Sequence, residues 1–228
     1  MMDKAAKKQV IWGEVRLLWR HGLIAVAGLV YGLYGWIIPQ VPIAQQGLIG
    51  ALLVFSDPAM LGFLFIGTII LLDRQTGRLK ALQITPGGLK AYLGRKTLAL
   101  TLLALAGAIL MVSKVDGYPE NPGVFLLGFM YATLFFLALG IAGTTWVSSL
   151  NAYLMLIPIG FLPLLIPLLG YVGIHHPLLY LLPTHAMLLL LHPDAGIMEW
   201  GKLTYALLYP LPWLWGAWHW AINRFQAQ

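Results

Sequence analysis

The stretch LLDRQTGRLKALQITP, residues 71–86, decides the fold, because it places a compact block of charge directly after a long apolar run. From Asp73 to about Gln83 the residues favour a helix, with Gly77 as the exception, and Pro86 stops that helix. The pattern predicts a polar helix on the membrane surface between two apolar segments. A solvated loop whose basic residues only orient the chain is the alternative that these residues leave open.

The composition places the rest of the chain in a lipid bilayer. Hydrophobic residues make up 60% of the 228 residues and charged residues 10%, and the mean hydropathy is +0.81. Soluble domains are only about 45–50% apolar. The chain has no cysteine, which excludes disulfides, thiolate nucleophiles and Cys-ligated metals. Because the basic residues are scattered over short segments, a nucleic-acid partner is not expected.

The apolar runs divide into six segments of membrane-spanning length. A hydrocarbon core about 30 Å thick needs about 20 apolar residues in a helix. We therefore predict an all-α membrane protein with a single transmembrane domain over residues 1–228, in the plasma or inner membrane. The six predicted spans are residues 22–38, 47–72, 97–112, 124–147, 153–174 and 203–222.

The basic residues set the predicted orientation. Of the 14 Lys and Arg residues, all but Lys114 and Lys202 fall on the side of the amino terminus. Cytoplasmic segments carry the excess of Lys and Arg, so both termini are expected in the cytoplasm. Residues 9–21 place Arg16 and Arg20 on one helical stripe and apolar residues on the other, which predicts an interfacial helix in the headgroups. A continuation of the first span is the alternative.

Asp57 lies within the second predicted span and is followed by Pro58. A charged carboxylate at mid-depth costs about 2.5–3.5 kcal/mol, so this side chain should face protein, water or a cation rather than lipid. It is either a polar point on a substrate path or a neutral side chain hydrogen-bonded to a neighbouring helix. Pro58 frees a backbone carbonyl one turn earlier, which predicts a kink.

The run SDPAMLGFLFIGTIILLDRQTGRLKALQITPGGLKAYLGRK, residues 56–96, resembles the second span and coupling segment of type-2 ABC transporter permeases, in particular the fluoroquinolone-export-like group. One position departs from that family, which usually has Glu where this chain has Asp73, one methylene shorter. The positions that carry the resemblance are Asp57, Pro58, Gly62, Asp73, Gly77, Leu82, Thr85, Pro86, Tyr92, Leu93 and Lys96.

The resemblance implies a partner. In that family the coupling segment, here residues 73–95, meets a separate ATP-binding subunit, which would hold ATP and Mg²⁺. This chain has no G-x-x-x-x-G-K-S/T sequence, so we expect no cofactor on it, no catalytic residue and no enzymatic activity of its own. The expected coupling residues are Asp73, Arg74, Thr76, Gly77, Arg78, Leu82, Thr85 and Pro86.

The resemblance also implies an external re-entrant segment and a dimer. Residues 175–200 are similar to the family's re-entrant helices, and the apolar run 186–191 is too short to cross a membrane. A substrate path between two six-span halves implies a homodimer, or a heterodimer with a similar permease. Small residues at 28, 32 and 35 and at 138, 140, 142 and 143 would permit close helix contact, either between subunits or within one.

These features predict the permease subunit of an ATP-driven exporter that moves a hydrophobic or amphipathic small molecule outward. An ATP-independent channel or secondary carrier is the main alternative, and export of a haem precursor or a lipid fits the same ABC architecture. An aspartyl intramembrane enzyme needs two acids that share a proton, and only Asp57 lies within a predicted span. His185 and His192 lie about 10 Å apart along a helix, too far to share one metal ion directly, so no metal site is predicted.

Overall fold

The computed structural model of the protein describes residues 22–42, 52–53, 55–57, 60–83, 88–112, 121–174, 176–192 and 199–226, together with the single positions 13, 16 and 19. Within these ranges every regular element is helical and there is no strand. A π-helix covers Met60–Phe65, and 3₁₀ turns cover Ile38–Gln40, Ile166–Val172 and Pro177–Leu181. The α-helices are α1 (Leu23–Ile37), α2 (Ile66–Gln75), α3 (Arg78–Gln83), α4 (Gly88–Val112), α5 (Pro122–Gly143), α6 (Leu150–Leu165), α7 (Pro183–Leu191), α8 (Trp200–Leu208) and α9 (Pro210–Gln226).

The all-helical membrane class predicted from the sequence is confirmed. Ile24–Gln40 forms a shorter apolar helix, and α8 and α9, which meet at Tyr209, lie where the sixth span is predicted. The number of six crossings stays a prediction, and the predicted interfacial helix 9–21 lies outside the described residues apart from the three single positions. Among the described residues, four helical stretches are long and apolar enough to cross a membrane, namely Phe55–Gln75, Gly88–Leu110, Pro122–Gly143 and Leu150–Gly170.

Helix α5 is the centre of the bundle. Its sequence is apolar on all sides, which is typical of a helix surrounded by other helices. It packs against α4, α7, α9 and the π-helix, and Phe125 and Phe136 are fully buried in these contacts. At its start Val124 N donates a hydrogen bond of 3.3 Å to Asn121 Oδ1, and Pro122 occupies the first turn. Capping and burial together fix this helix as the frame for the others.

The second span crosses α5 at two glycines. A Cβ atom on Gly62 would lie 2.6 Å from the Cβ of Phe136 and 2.7 Å from the backbone nitrogen of Leu137. A Cβ on Gly140 would collide with the carbonyl oxygen of Gly62. The two backbones are therefore in direct contact. The small residues at 138–143 serve packing inside this chain at this crossing.

Tyr153 of α6 fixes the π-helix to this crossing. Its fully buried hydroxyl donates to the carbonyl oxygen of Phe63 and lies 3.2 Å from that of Gly140. The ring occupies the space that a side chain at position 67 would need, and Gly67 leaves that space open. Because a π turn interrupts the regular ladder of backbone hydrogen bonds, a side chain can bond a carbonyl oxygen inside it.

Helix α6 lies at the edge of the bundle. Only 12% of its apolar stretch is buried inside the chain, against 61% for α5. It packs on α2 and the π-helix. Pro158 and Pro163 interrupt its hydrogen bonding, and the helix gives way to the 3₁₀ turns of Ile166–Val172. Its outer face is therefore left to lipid or to another chain.

Helix α7 is short and buried. Its nine residues extend about 14 Å, too little to cross a hydrocarbon core. The Cβ of Leu190 packs where Gly128 of α5 has no side chain. A helix of this length packed against a spanning helix is compatible with the re-entrant segment predicted for residues 175–200, part of which lies outside the described residues.

Candidate functional site

Residues 73–83 and 88–96 form one end of the bundle, here called the basic end. The sequence predicted one helix from Asp73 to about Gln83, and the structure divides it. Helix α2 continues the second span as far as Gln75, and α3 begins at Arg78. Gly77 has φ +74°, a left-handed conformation that glycine adopts without strain, and its N–H donates to the carbonyl oxygen of Arg74 at 3.1 Å. The turn lets the polar helix leave the axis of the span.

Asp73 links three helices. The hydroxyl of Tyr92, from α4, donates to Asp73 Oδ2 at 2.7 Å, and Arg78 Nη1, from α3, lies 3.4 Å from Oδ1. The Asp73 side chain is 14% exposed and that of Arg78 50%. A half-exposed ion pair contributes little, whereas a hydrogen bond that is largely shielded from water contributes about 1 kcal/mol. The tyrosine bond is therefore the stronger of the two.

Arg74 fastens the second span to the end of α5. Its Nη1 donates to the carbonyl oxygens of Thr144 at 3.1 Å and Val147 at 3.2 Å. The last carbonyls of a helix have no partner within the helix and carry partial negative charge, so a guanidinium suits them. Sequence reasoning assigned Arg74 to the partner-facing surface and missed both acceptors, because backbone carbonyls leave no signature in a sequence.

Helix α3 has an inner and an outer face. Leu79 is buried in a cluster with Tyr92 and Phe225, and Leu82 packs against the same cluster. Lys80 is exposed, as are Arg78 and Ala81. The outer face is therefore basic. Thr76 is exposed and its hydroxyl donates to the carbonyl oxygen of Asp73 at 3.2 Å, while Thr85 and Pro86 lie outside the described residues.

Lys96 is a buried cation in this region. It is 1% exposed, and its Nζ lies 5.7 Å from the centroid of the Tyr92 ring, within the range of a cation–π contact. Tyr92 thus presents its hydroxyl to Asp73 and its ring to Lys96. The sequence pattern singled out all three residues, and the structure brings them together.

Asp57 lies away from the basic end, inside the bundle. It is 5% exposed, and the hydroxyl of Tyr31 in α1 donates to its Oδ2 and lies 3.5 Å from the carbonyl oxygen of Ala104 in α4. The Tyr31 ring fills the space left by Gly107. The carboxyl thus joins α1 and α4 to the second span. A role on a substrate path stays a prediction, and Pro58 lies outside the described residues.

The described residues contain no group of three or more His, Asp and Glu that could hold a metal ion. The chemistry at the basic end consists instead of hydrogen bonds and charge pairs between helices. Apolar helices of membrane-spanning length, joined beside a short polar helix, are typical of an integral membrane protein.

Comparison with known proteins gives the family. Residues 5–227 match the Fluoroquinolones export permease protein family, and the chain belongs to this family. Two similar proteins, from Mycobacterium tuberculosis strains CDC 1551 / Oshkosh and ATCC 25618 / H37Rv, are each named as a fluoroquinolones export permease protein. Each is 26% identical over 204 residues, which cover 87% of this chain and 84% of the relative. No solved structure matches the chain. The resemblance seen in residues 56–96 is thereby confirmed.

Proposed function

We propose that this chain is the membrane-spanning subunit of an ATP-driven exporter and that it works with a separate ATP-binding subunit. Membership of an export permease family supports the exporter. The observation that carries the proposal is the basic end: the short helix α3 has a basic outer face and pairs Arg78 with Asp73 of α2, and α2 is in turn bonded to α4 and to the end of α5. The buried side chain of Leu79 adds a packing contact between α3 and the cluster that holds Tyr92 and Phe225.

The proposed contact with the ATP-binding subunit is the outer face of α3 together with Thr85 and Pro86. Arg78 and Lys80 supply positive charge there, which favours an acidic cleft on the partner. Because Asp73 bonds Tyr92 and Arg74 bonds α5, a displacement of α3 would move α2, α4 and α5 together. ATP and Mg²⁺ belong to the partner, since the sequence has no P-loop.

The proposed topology has six spans with both termini in the cytoplasm. In this arrangement α1 is the first span, α6 with its 3₁₀ extension the fifth, and α8 with α9 the sixth. The basic end is then cytoplasmic, in agreement with the excess of Lys and Arg in such segments. Helix α7 enters the outer leaflet and returns.

The proposed assembly contains two permease chains, identical or similar. Large apolar side chains cover the outer faces of α1 and α6: Leu29 is 64% exposed, Trp36 66%, Met155 75% and Ile159 72%. Such faces need lipid or protein against them. A substrate path between two chains would use one of these faces, and the other would meet lipid.

The proposed cargo is a hydrophobic or amphipathic small molecule. Fluoroquinolones are the first compounds to test, because the names of both relatives refer to them. The experiment is ATP-dependent accumulation of a fluorescent fluoroquinolone in inside-out vesicles that contain the chain and its proposed ATP-binding subunit. We expect accumulation that needs both subunits and ATP. Equal accumulation with an ATP-binding subunit unable to hydrolyse ATP would favour a secondary carrier instead.

A further inference from the structure

A cavity of about 540 Å³ that is open on one side lies between the π-helix, α5, α6 and α9. We call it the aromatic cavity, because Phe63, Phe135, Trp146, Trp213 and Trp220 line it. The other lining residues are Leu139, Gly143, Gly160, Leu164, Leu182, Pro183, Pro212, Gly216 and Ala217. None of these lining residues carries a charged side chain.

The cavity exists because α6 stands away from α9. Helix α6 packs on the second span, where Tyr153 anchors it, and Pro158 and Pro163 bend its later turns. On the opposite wall Gly216 has no side chain, and a Cβ placed on it would meet no atom within 4 Å. Trp146 and Trp220 meet edge to face, with ring centroids 5.3 Å apart, and form the wall nearest the basic end.

We propose that the aromatic cavity is a binding site for an uncharged, planar, aromatic ring system. Its volume falls within the range of about 300–1,000 Å³ typical of small-molecule sites. Because the lining carries no charged side chain, a charged group buried there would lose its hydration without compensation. The indole and phenyl rings of the lining offer the faces and edges on which flat rings stack.

A flat ring system suits the cavity better than a lipid acyl chain. A flexible chain loses rotational freedom when it is ordered, whereas a rigid ring system has little to lose. The aromatic walls add ring-to-ring contacts that an acyl chain cannot make. That the bound ring system belongs to the exported molecule rests on the proposed function, but binding itself is a property of this chain alone.

Photolabelling of the purified full-length chain in detergent tests the site. The probe is 1-azidopyrene, with pyrene as competitor and mass spectrometry of the labelled peptides as readout. We expect labelling of the segment that holds Trp213 and Trp220, and its loss with excess pyrene. Gly216→Leu places a side chain in the open space and should lower the competed labelling by about tenfold or more. Gly201→Leu is the matched control, since Gly201 of α8 is exposed and a Cβ placed on it would also meet no atom within 4 Å; its labelling should not change.

Leu164→Trp is a second variant, which fills the cavity from α6 instead of α9. It gives an independent measurement if Gly216→Leu fails to fold. Labelling that both variants leave intact would overturn the site. A second result would also overturn the site. If a phospholipid with a diazirine on its acyl chain labels the same peptides and pyrene does not displace it, a lipid is the occupant of the cavity. Neither result depends on ATP: a chain that binds pyrene in the cavity but does not transport with its ATP-binding subunit contradicts the proposed function and leaves the site standing.

Discussion

The basic end and the aromatic cavity are built in opposite ways. At the basic end, directional bonds fix the positions of four helices: Asp73 to Tyr92 and Arg78, and Arg74 to the end of α5. In the aromatic cavity, apolar rings surround open space and no charged side chain lines the walls. Directional bonds hold a geometry, whereas apolar contacts allow rings to shift at small cost. A transporter needs the first property where force enters and the second where cargo of variable shape is held.

Removal of the Arg74 guanidinium should separate the two regions most clearly. Arg74→Met deletes a charged donor to two carbonyl oxygens, a loss of about 1.5–3 kcal/mol, so ATP-driven transport should fall by about tenfold or more. Pyrene-competed labelling of the cavity should be kept. Arg224→Met, at an exposed position near the end of α9, is the control and should transport normally. Loss of cavity labelling together with transport would show that the two regions are not independent.

Removal of the Tyr92 hydroxyl should cause the next largest loss of transport. Tyr92→Phe keeps the ring beside Lys96 and removes the donor to Asp73, and one hydrogen bond of about 1 kcal/mol corresponds to a transport loss of about fivefold. Tyr209→Phe removes a hydroxyl that donates to the carbonyl oxygen of Leu181 at 2.8 Å, far from the basic end, and should have no such effect. In the double variant with Asp73→Ala the losses should be less than additive, because both changes remove the same bond. Additive losses would contradict the assigned contact.

The outer face of α3 should affect partner binding more weakly. Lys80→Glu reverses an exposed charge without touching the bonds of Asp73 or Arg74, so affinity for the ATP-binding subunit should fall by a factor of about 3 to 10, and more at low salt than at high salt. Binding assays with the permease immobilised on a surface, run at two ionic strengths, measure the affinity for the ATP-binding subunit. Lys202→Glu, on α8, is the control. Equal affinities for Lys80→Glu and the unchanged chain would place the partner elsewhere.

The smallest expected effect is on the pH dependence of the stability of the chain. His185 lies on α7 with its ring centroid 4.3 Å from that of Tyr180, and burial lowers the pKa of its imidazole below the usual value. The unfolded chain then takes up a proton first, so stability should decrease as the pH falls below about 6.5. His185→Gln should flatten the apparent melting temperature between about pH 7 and 5. An unchanged pH profile would mean that other groups cause the decrease.

The sequence predicted the positions of the helices better than the contacts between them. Apolar run length locates a span, because the bilayer sets the length, and the polar stretch after the second span was found from composition alone. The break at Gly77 was visible only as a poor helix former, and the left-handed φ that divides α2 from α3 depends on where Asp73 and Leu79 pack.

The contacts between distant segments could not be predicted. Asp57 was expected to face protein, water or a cation rather than lipid, but nothing in the pattern selects Tyr31, 26 positions earlier, as its partner. The carbonyl oxygens that receive Arg74 belong to the backbone, which every residue shares. The aromatic cavity is assembled from several separate segments and depends on the distance between α6 and α9, which side-chain chemistry alone does not fix.

The π-helix Met60–Phe65 has a consequence for insertions and deletions. A π turn accommodates one residue more than an α turn over the same rise, so a single deletion within Met60–Phe65 can be absorbed by a return to α geometry. A deletion within residues 66–73 has no such outlet and would rotate Arg74 by about 100° about the helix axis, away from its acceptors. An alignment gap of one residue between distant members of the family is therefore expected inside the π-helix and not in residues 66–73 that follow it.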